Sequence, residues 1–155
     1  MRKNISGILL IVLSGFILVQ LSCAPGSCFD ETESYVKASF YNYESEKLTT
    51  PDSLSLYGLN HDSIIYDKTA KVQPALIPLD ASVDNCSLVI KINGVSDTIE
   101  FQYSSYPHLI SKECGYTYYH HLDSIPFFSK NGIKKIDIIN RTITNLNVEN
   151  IQIYY

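Results

Sequence analysis

The chain has 155 residues, enough for one domain of ordinary size and too few for two. It carries 12 Lys+Arg against 16 Asp+Glu, a net charge of −4 with no basic cluster. That balance excludes a nucleic-acid partner, because neutralising phosphates takes grouped Lys and Arg. With 18% charged residues, 12 tyrosines and no tryptophan, the apolar material suffices for a core and excludes a disordered chain.

In chain order, Met1–Arg2–Lys3 is a short positive region, and Gly7 to Val19 is an apolar run of 13 residues. The run is short for a membrane span and fits the apolar region of a secretory signal. Ser22 directly before Cys23 resembles a bacterial lipobox, in which the thiol receives a diacylglyceryl group before cleavage; Gln20 stands where Leu is usual. Residues 1–22 therefore read as a lipoprotein signal peptide, Cys23 as the lipidated residue, 23–28 as a short tether and 29–155 as the folded domain. Without Arg2 and Lys3, 10 bases face 16 acids and the balance becomes −6. Several acyl chains on one cysteine give stable anchoring where a single chain does not.

Beyond the tether, two-residue alternation dominates and no stretch sustains a helical period. In Tyr35–Asn42, Val36, Ala38 and Phe40 share one face, with Tyr35, Lys37, Ser39 and Tyr41 on the other. Leu54 and Leu56 alternate with Ser53 and Ser55, and Asp62–Tyr66 is a short β-branched run. Ala75–Leu79 contains Pro78, which suits an edge strand because proline cannot donate to a ladder. Leu88, Ile90 and Ile92, then Asn93–Gly94, then Ile99, Phe101 and Tyr103 predict a hairpin, with Val95–Thr98 available to lengthen its loop. Tyr116, Tyr118, His120 and Leu122 share a face, as do Ile136 and Ile138, and Ile151, Ile153 and Tyr155. Ser124–Asn131, with Pro126 and then Gly132, reads as a loop or a single helical turn. About eight or nine strands separated by turn signals predict an all-β chain, an antiparallel β-sandwich of immunoglobulin-like or related type.

The order of Cys28, Ser39–Phe40–Tyr41, Ala75–Leu76–Ile77–Pro78–Leu79, Ser111–Lys112–Glu113–Cys114–Gly115 and the strand Val148–Tyr155 resembles an uncharacterised family of Bacteroidota lipoproteins, a domain-of-unknown-function family. The resemblance implies an envelope location and a β-sandwich, and names no activity. With Cys23 acylated, Cys28, Cys86 and Cys114 allow three pairings, and an oxidising envelope favours a bridge. The residues alone do not choose among them. The resemblance implies Cys28–Cys114 and leaves Cys86 as a small buried strand residue.

No Cys-x-x-Cys or paired Cys/His spacing points to a metal, and no motif points to a cofactor. His120 and His121 are strand neighbours and point to opposite faces, so they cannot enter one site together. No nucleophile elbow, zincin helix or Ser–His–acid order is present, so no catalytic residue is assigned. Tyr116 and Tyr118 form a candidate platform for stacking sugars or a partner; cross-strand aromatic pairing is the simpler reading of such rings. Asp52–Ser53–Leu54, Asp62–Ser63–Ile64, Asp97–Thr98–Ile99 and Asp123–Ser124–Ile125 resemble the O-glycosylation acceptors of Bacteroidota envelope proteins. This nominates Ser53, Ser63, Thr98 and Ser124. The same pattern suits side-chain turns leading into strands, and three of the four read as strand starts.

The sequence thus predicts a non-catalytic lipoprotein of the cell envelope, placed at the outer membrane by its lipid. Its expected role is structural, contacting another envelope protein such as an outer-membrane barrel. The alternative is a glycan- or small-ligand-binding module using the Tyr-rich face.

Overall fold

A computed structural model describes residues 28, 30–59 and 64–155 of the chain. The signal peptide, Cys23, most of the tether, His61 and Ser63 lie outside those residues. Ten strands follow one another: β1 (Tyr35–Tyr41), β2 (Leu54–Gly58), β3 (Ile64–Thr69), β4 (Ala75–Pro78), β5 (Asn85–Ile92), β6 (Val95–Ser111), β7 (Gly115–Phe128), β8 (Lys135–Ile138), β9 (Thr142–Ile143) and β10 (Ile151–Tyr154). They form a four-stranded sheet ordered β4-β1-β10-β8 and a six-stranded sheet ordered β3-β2-β5-β6-β7-β9. No helix occurs among the described residues.

Alternation builds the core as anticipated. Val36, Ala38, Phe40, Ile77, Ile151 and Ile153 of the smaller sheet, with Leu54, Leu56, Ile90, Ile99, Phe101, Tyr103 and Leu122 of the larger, are all buried in one cluster. Side chains of period two from both sheets meet between them, the arrangement of a sandwich. Pro78 ends β4, which is an edge strand, so its missing N–H breaks no ladder there.

The β5–β6 hairpin is tighter than expected. Ile92 pairs with Val95, and Asn93 and Gly94 make the two-residue turn at φ of 48° and 92°. Two consecutive positive φ values match the twist of the flanking strands, which is why Asn-Gly serves there. The segment read as a loop at Ser124–Asn131 is instead strand as far as Phe128. Gln102 pairs with Ser124 and Glu100 with Phe127, so β7 carries one residue more than β6 in this interval. Pro126 falls in that bulge, where a ladder donor is not needed.

Two further features depend on long-range contacts. β1 pairs with β10 in parallel, Ala38 opposite Ile151 and Phe40 opposite Ile153, while the other strand pairs of the described residues are antiparallel. A parallel pair needs a long crossover, and here nearly the whole domain lies between the two strands. β1 is also buried on both faces: Lys37, placed on the outer face by alternation, is 7% exposed. Its ammonium reaches the carbonyl of Thr144 at 3.5 Å, so the segment after β9 covers that face. Burial lowers the Lys37 pKa, and the charge of Glu31 partly opposes this.

Candidate functional site

β6 has 17 residues and β5 only 8, and their pairing ends at Asn85 opposite Gln102. Past that point β6 and β7 continue as a ribbon, from Tyr103 opposite Leu122 to Ser111 opposite Gly115, flanked by β9 only at His120 and His121. Eight residue steps make it about 27 Å long. The ribbon ends in a turn that contains Cys114. There the structure joins Cys114 to Cys28, Cα to Cα at 4.8 Å.

The chain leaving Cys28 runs along the free edge of β7. Thr117 Oγ1 donates to the Thr32 carbonyl, Ser34 Oγ to the Tyr118 carbonyl, and Asn145 Nδ2 to the Glu31 carbonyl at 2.8 Å. β9 reaches only His120 and His121, and beyond it the Tyr118 carbonyl is capped by Ser34 while side chains of Thr117 and Asn145 hold the 31–32 segment alongside. A segment lying along an edge in this way obstructs the approach of a foreign strand.

The two faces of the ribbon differ. On one, Tyr119 is sandwiched: His108 stacks on it at 4.2 Å between centroids, Tyr106 meets it edge-on, and its hydroxyl donates to Asn145 Oδ1. On the other, continuous with the core face, lie Ser105, Pro107 and Leu109, opposite His120, Tyr118 and Tyr116. Leu109 is 46%, Tyr116 75% and Tyr118 51% exposed, so the stripe that is core at Tyr103 and Leu122 becomes surface toward the tip. Tyr118 borders a shallow groove of ≈ 270 Å³ with Pro78, Leu79 and His120. A larger open groove of ≈ 610 Å³ lies at the ribbon's base, lined by Leu59, Ile65, Leu79, Val83, Cys86 and Leu88. Cys86 is half-buried and unpaired, and burial pushes its thiol up to about 11.

His120 is 2% exposed, whereas His121 is exposed on the opposite face. Nδ1 of His120 bonds Ser105 Oγ at 2.8 Å, and Tyr103 meets the imidazole edge-on. Burial lowers the His120 pKa, so the ring is neutral at pH 7. The Ser105–His120 pair satisfies two polar groups under the ribbon's base, and among the described residues no carboxylate hydrogen-bonds the ring. Among the described residues no group of three His, Cys, Asp or Glu side chains is placed to hold a metal.

The acceptor pattern lands in dissimilar places. Ser53 is half-exposed immediately before β2, its N–H donating to Asn93 Oδ1. Thr98 and Ser124, by contrast, lie inside β6 and β7 rather than at strand starts. Ser124 Oγ donates to Gln102 Oε1 at 3.3 Å. Asp97, read as a turn acid, is 3% exposed. Its carboxylate accepts from Ser129 Oγ at 2.7 Å and from the N–H groups of Asn131, Gly132 and Ile133 at 2.7, 2.8 and 2.9 Å. Gly132 permits this approach: a Cβ there would stand 3.1 Å from Val95 Cγ1. Burial raises the Asp97 pKa, but the Ser129 hydroxyl and the three amides outweigh it and hold the carboxyl below its usual range.

Residues 53–155 match the Family of unknown function (DUF6452). The chain belongs to that family. The match includes Cys114, Tyr116, Tyr118 and the Asp97 pocket, and leaves out Cys28 and β1. β1 nevertheless sits between β4 and β10, so the fold extends beyond the matched segment. No curated protein and no solved structure matches the chain.

Proposed function

We propose that the protein is a lipid-anchored, non-catalytic module of the bacterial envelope, of the Bacteroidota lipoprotein kind that its sequence resembles. Cys23, lipidated and made the first residue by removal of residues 1–22, holds it at the outer membrane, where the sandwich engages an envelope protein. The observation that carries this reading is the Cys28–Cys114 bridge. Cys28 follows the acylation residue by five positions. The bridge converts what would be a loose stalk into a mount fixed to the ribbon tip, a device with a purpose in a chain that must be held at a surface. A disulfide also suits the oxidising envelope. The buried polar groups around His120 and Asp97 are hydrogen-bonded within the fold, which supports a structural use for both.

The test is Cys23→Ala. It should abolish acylation, seen as loss of lipid mass, and move the protein out of the detergent phase; a variant that stays membrane-bound with unchanged mass overturns the anchor. Purification of the intact lipoprotein from solubilised membranes, with mass spectrometry of co-purifying chains, identifies the partner. The groove beside Tyr118 favours a second reading, a glycan seat on Tyr116 and Tyr118. On that reading Tyr118→Ala lowers binding on a glycan array without unfolding the domain, and an array blank for the wild type removes it.

A further inference from the structure

We propose that the core-side face of the ribbon tip, formed by Leu109, Tyr116 and Tyr118, seats in the headgroup layer of the membrane that carries the anchor. This rests on the lipid at Cys23 proposed above, and adds a second, non-covalent contact with the same bilayer. Three observations on different residues converge on it.

The first is the patch itself. Leu109 stands directly opposite Tyr116, and Pro107 opposite Tyr118, so the four make one contiguous surface. All four are exposed, and of them Tyr118 alone borders the groove shared with Pro78 of β4. Tyrosine combines an apolar ring with a hydroxyl that stays hydrated, which suits the boundary between acyl chains and water. Tyr119, on the opposite face, is consumed by His108, Tyr106 and Asn145, so the ribbon offers its unpartnered rings on one side only.

The second is reach. Five residue steps from Cys23 to Cys28 span at most about 18 Å. The bridge then places Cys28 at 4.8 Å from Cys114, Cα to Cα, and Tyr116 follows Cys114 by two residues. Tyr116 is therefore tethered within about 30 Å of an acylated residue. A surface tethered that closely meets the bilayer as an intramolecular event, so a patch too weak to bind free lipid is occupied nonetheless.

The third is charge. Lys112 in the turn is outnumbered by Glu113, Asp30 and Glu31 nearby. The tip has no net positive charge to seek anionic lipid, so the contact is aromatic and apolar and occurs on a zwitterionic surface.

The chain lacks tryptophan, so one introduced indole reports from one place. Full-length Tyr116→Trp and Tyr43→Trp lipoproteins, the latter beyond the opposite end of β1, are purified and their acylation is read by mass. Each is reconstituted in phosphatidylcholine vesicles whose acyl chains carry bromine near the headgroup. We expect the indole at position 116 to be quenched roughly threefold more than that at 43, equally at low and high salt. Adding Cys28→Ser to Tyr116→Trp should bring its quenching down toward the level at 43. Equal quenching of the two indoles in acylated protein overturns the membrane seat and leaves the anchor standing. Absence of acyl mass overturns the anchor, and the seat with it. Quenching at 116 that is unaffected by a soluble glycan, where the array shows glycan binding, assigns the tyrosines to lipid; loss of quenching on adding glycan would return them to the sugar and overturn the seat.

Discussion

Asp97 offers the most direct quantitative test of how the domain is held together. Asp97→Ala removes an acceptor shared by one hydroxyl and three consecutive backbone amides, and Ile133 among them is fully buried. Among the described residues no other group is bonded to those three N–H donors. A buried donor left unpaired costs about 1–3 kcal/mol, less where water reaches it. Asn131 is exposed and Gly132 intermediate, so we assign most of the loss to Ile133 and Gly132 and expect about 3–5 kcal/mol in total. For a domain of this size that is roughly 10–20 °C in Tm. The loss should depend on pH in a defined direction. The folded pKa of Asp97 lies below its ordinary 3.8, so its contribution is complete above that value and disappears as pH falls through the folded pKa. Urea unfolding of wild type and variant at a series of pH values gives the difference directly. It should be flat from pH 7 to about 5 and shrink below about pH 4. A difference under about 1 kcal/mol at pH 7, or one unchanged at the acid end, refutes the assignment.

Other consequences follow from single contacts. Cys28→Ser and Cys114→Ser should each lower Tm by the same amount, since the 86-residue separation they close is worth about 4–5 kcal/mol through the unfolded chain. The double variant should lose no more than either single one, and additive losses in thermal unfolding would contradict one shared bond. His120 is neutral and its pKa lies below the ordinary 6.5, so its burial stabilises fully above that value and progressively less as pH falls through it toward the folded pKa. His120→Gln should flatten the stability profile below about pH 6.5, and an unchanged slope would show that the ring is not the group responsible. The Cys86 thiol, pushed up to about 11, should alkylate slowly at pH 7.5 in native protein and fast once unfolded; rapid native labelling would mean that the groove at the ribbon's base exposes it.

What the sequence discloses follows from how local each cause is. The Asn93–Gly94 hairpin and the alternating Leu88–Ile92 and Ile99–Tyr103 runs depend on neighbours in the chain, and they are legible. The strand through Pro126 is not, because the proline signal is local whereas the bulge that accommodates it is set by pairing with Glu100 and Gln102. The two-residue strand β9 is too short to show any period. Lys37 follows the alternation into a face that should be wet, and is buried only because a segment over a hundred residues later folds across it. The Asp97 pocket fails for the same reason: nothing near Asp97 announces that amides of 131–133 will converge on it. The only local hint is Gly132.

The Tyr116–Tyr118 surface occupies an intermediate position. Alternation puts both rings on the face that carries Leu122, and by that rule alone they would be core. β5 stops pairing at Gln102 while β6 and β7 continue, and on that projecting part of the ribbon the two rings are 75% and 51% exposed. A pattern of period two specifies a face, and the length of the opposing elements decides whether that face is buried. Apolar residues that keep the core phase where the core has ended leave a patch that the fold itself does not require. Natural sheets commonly protect such an overhang with charge, and here Lys112, Glu113 and Asp30 lie at the turn and its tethered neighbour rather than among the rings. The bridge meanwhile spends its constraint on that same tip, which makes no core contact. For stability alone, any pair of similar separation in the sandwich would serve as well as this one of 86 residues. If Cys23 carries the proposed lipid, a bridge five residues away at the end of an apolar overhang would turn that overhang toward the membrane surface.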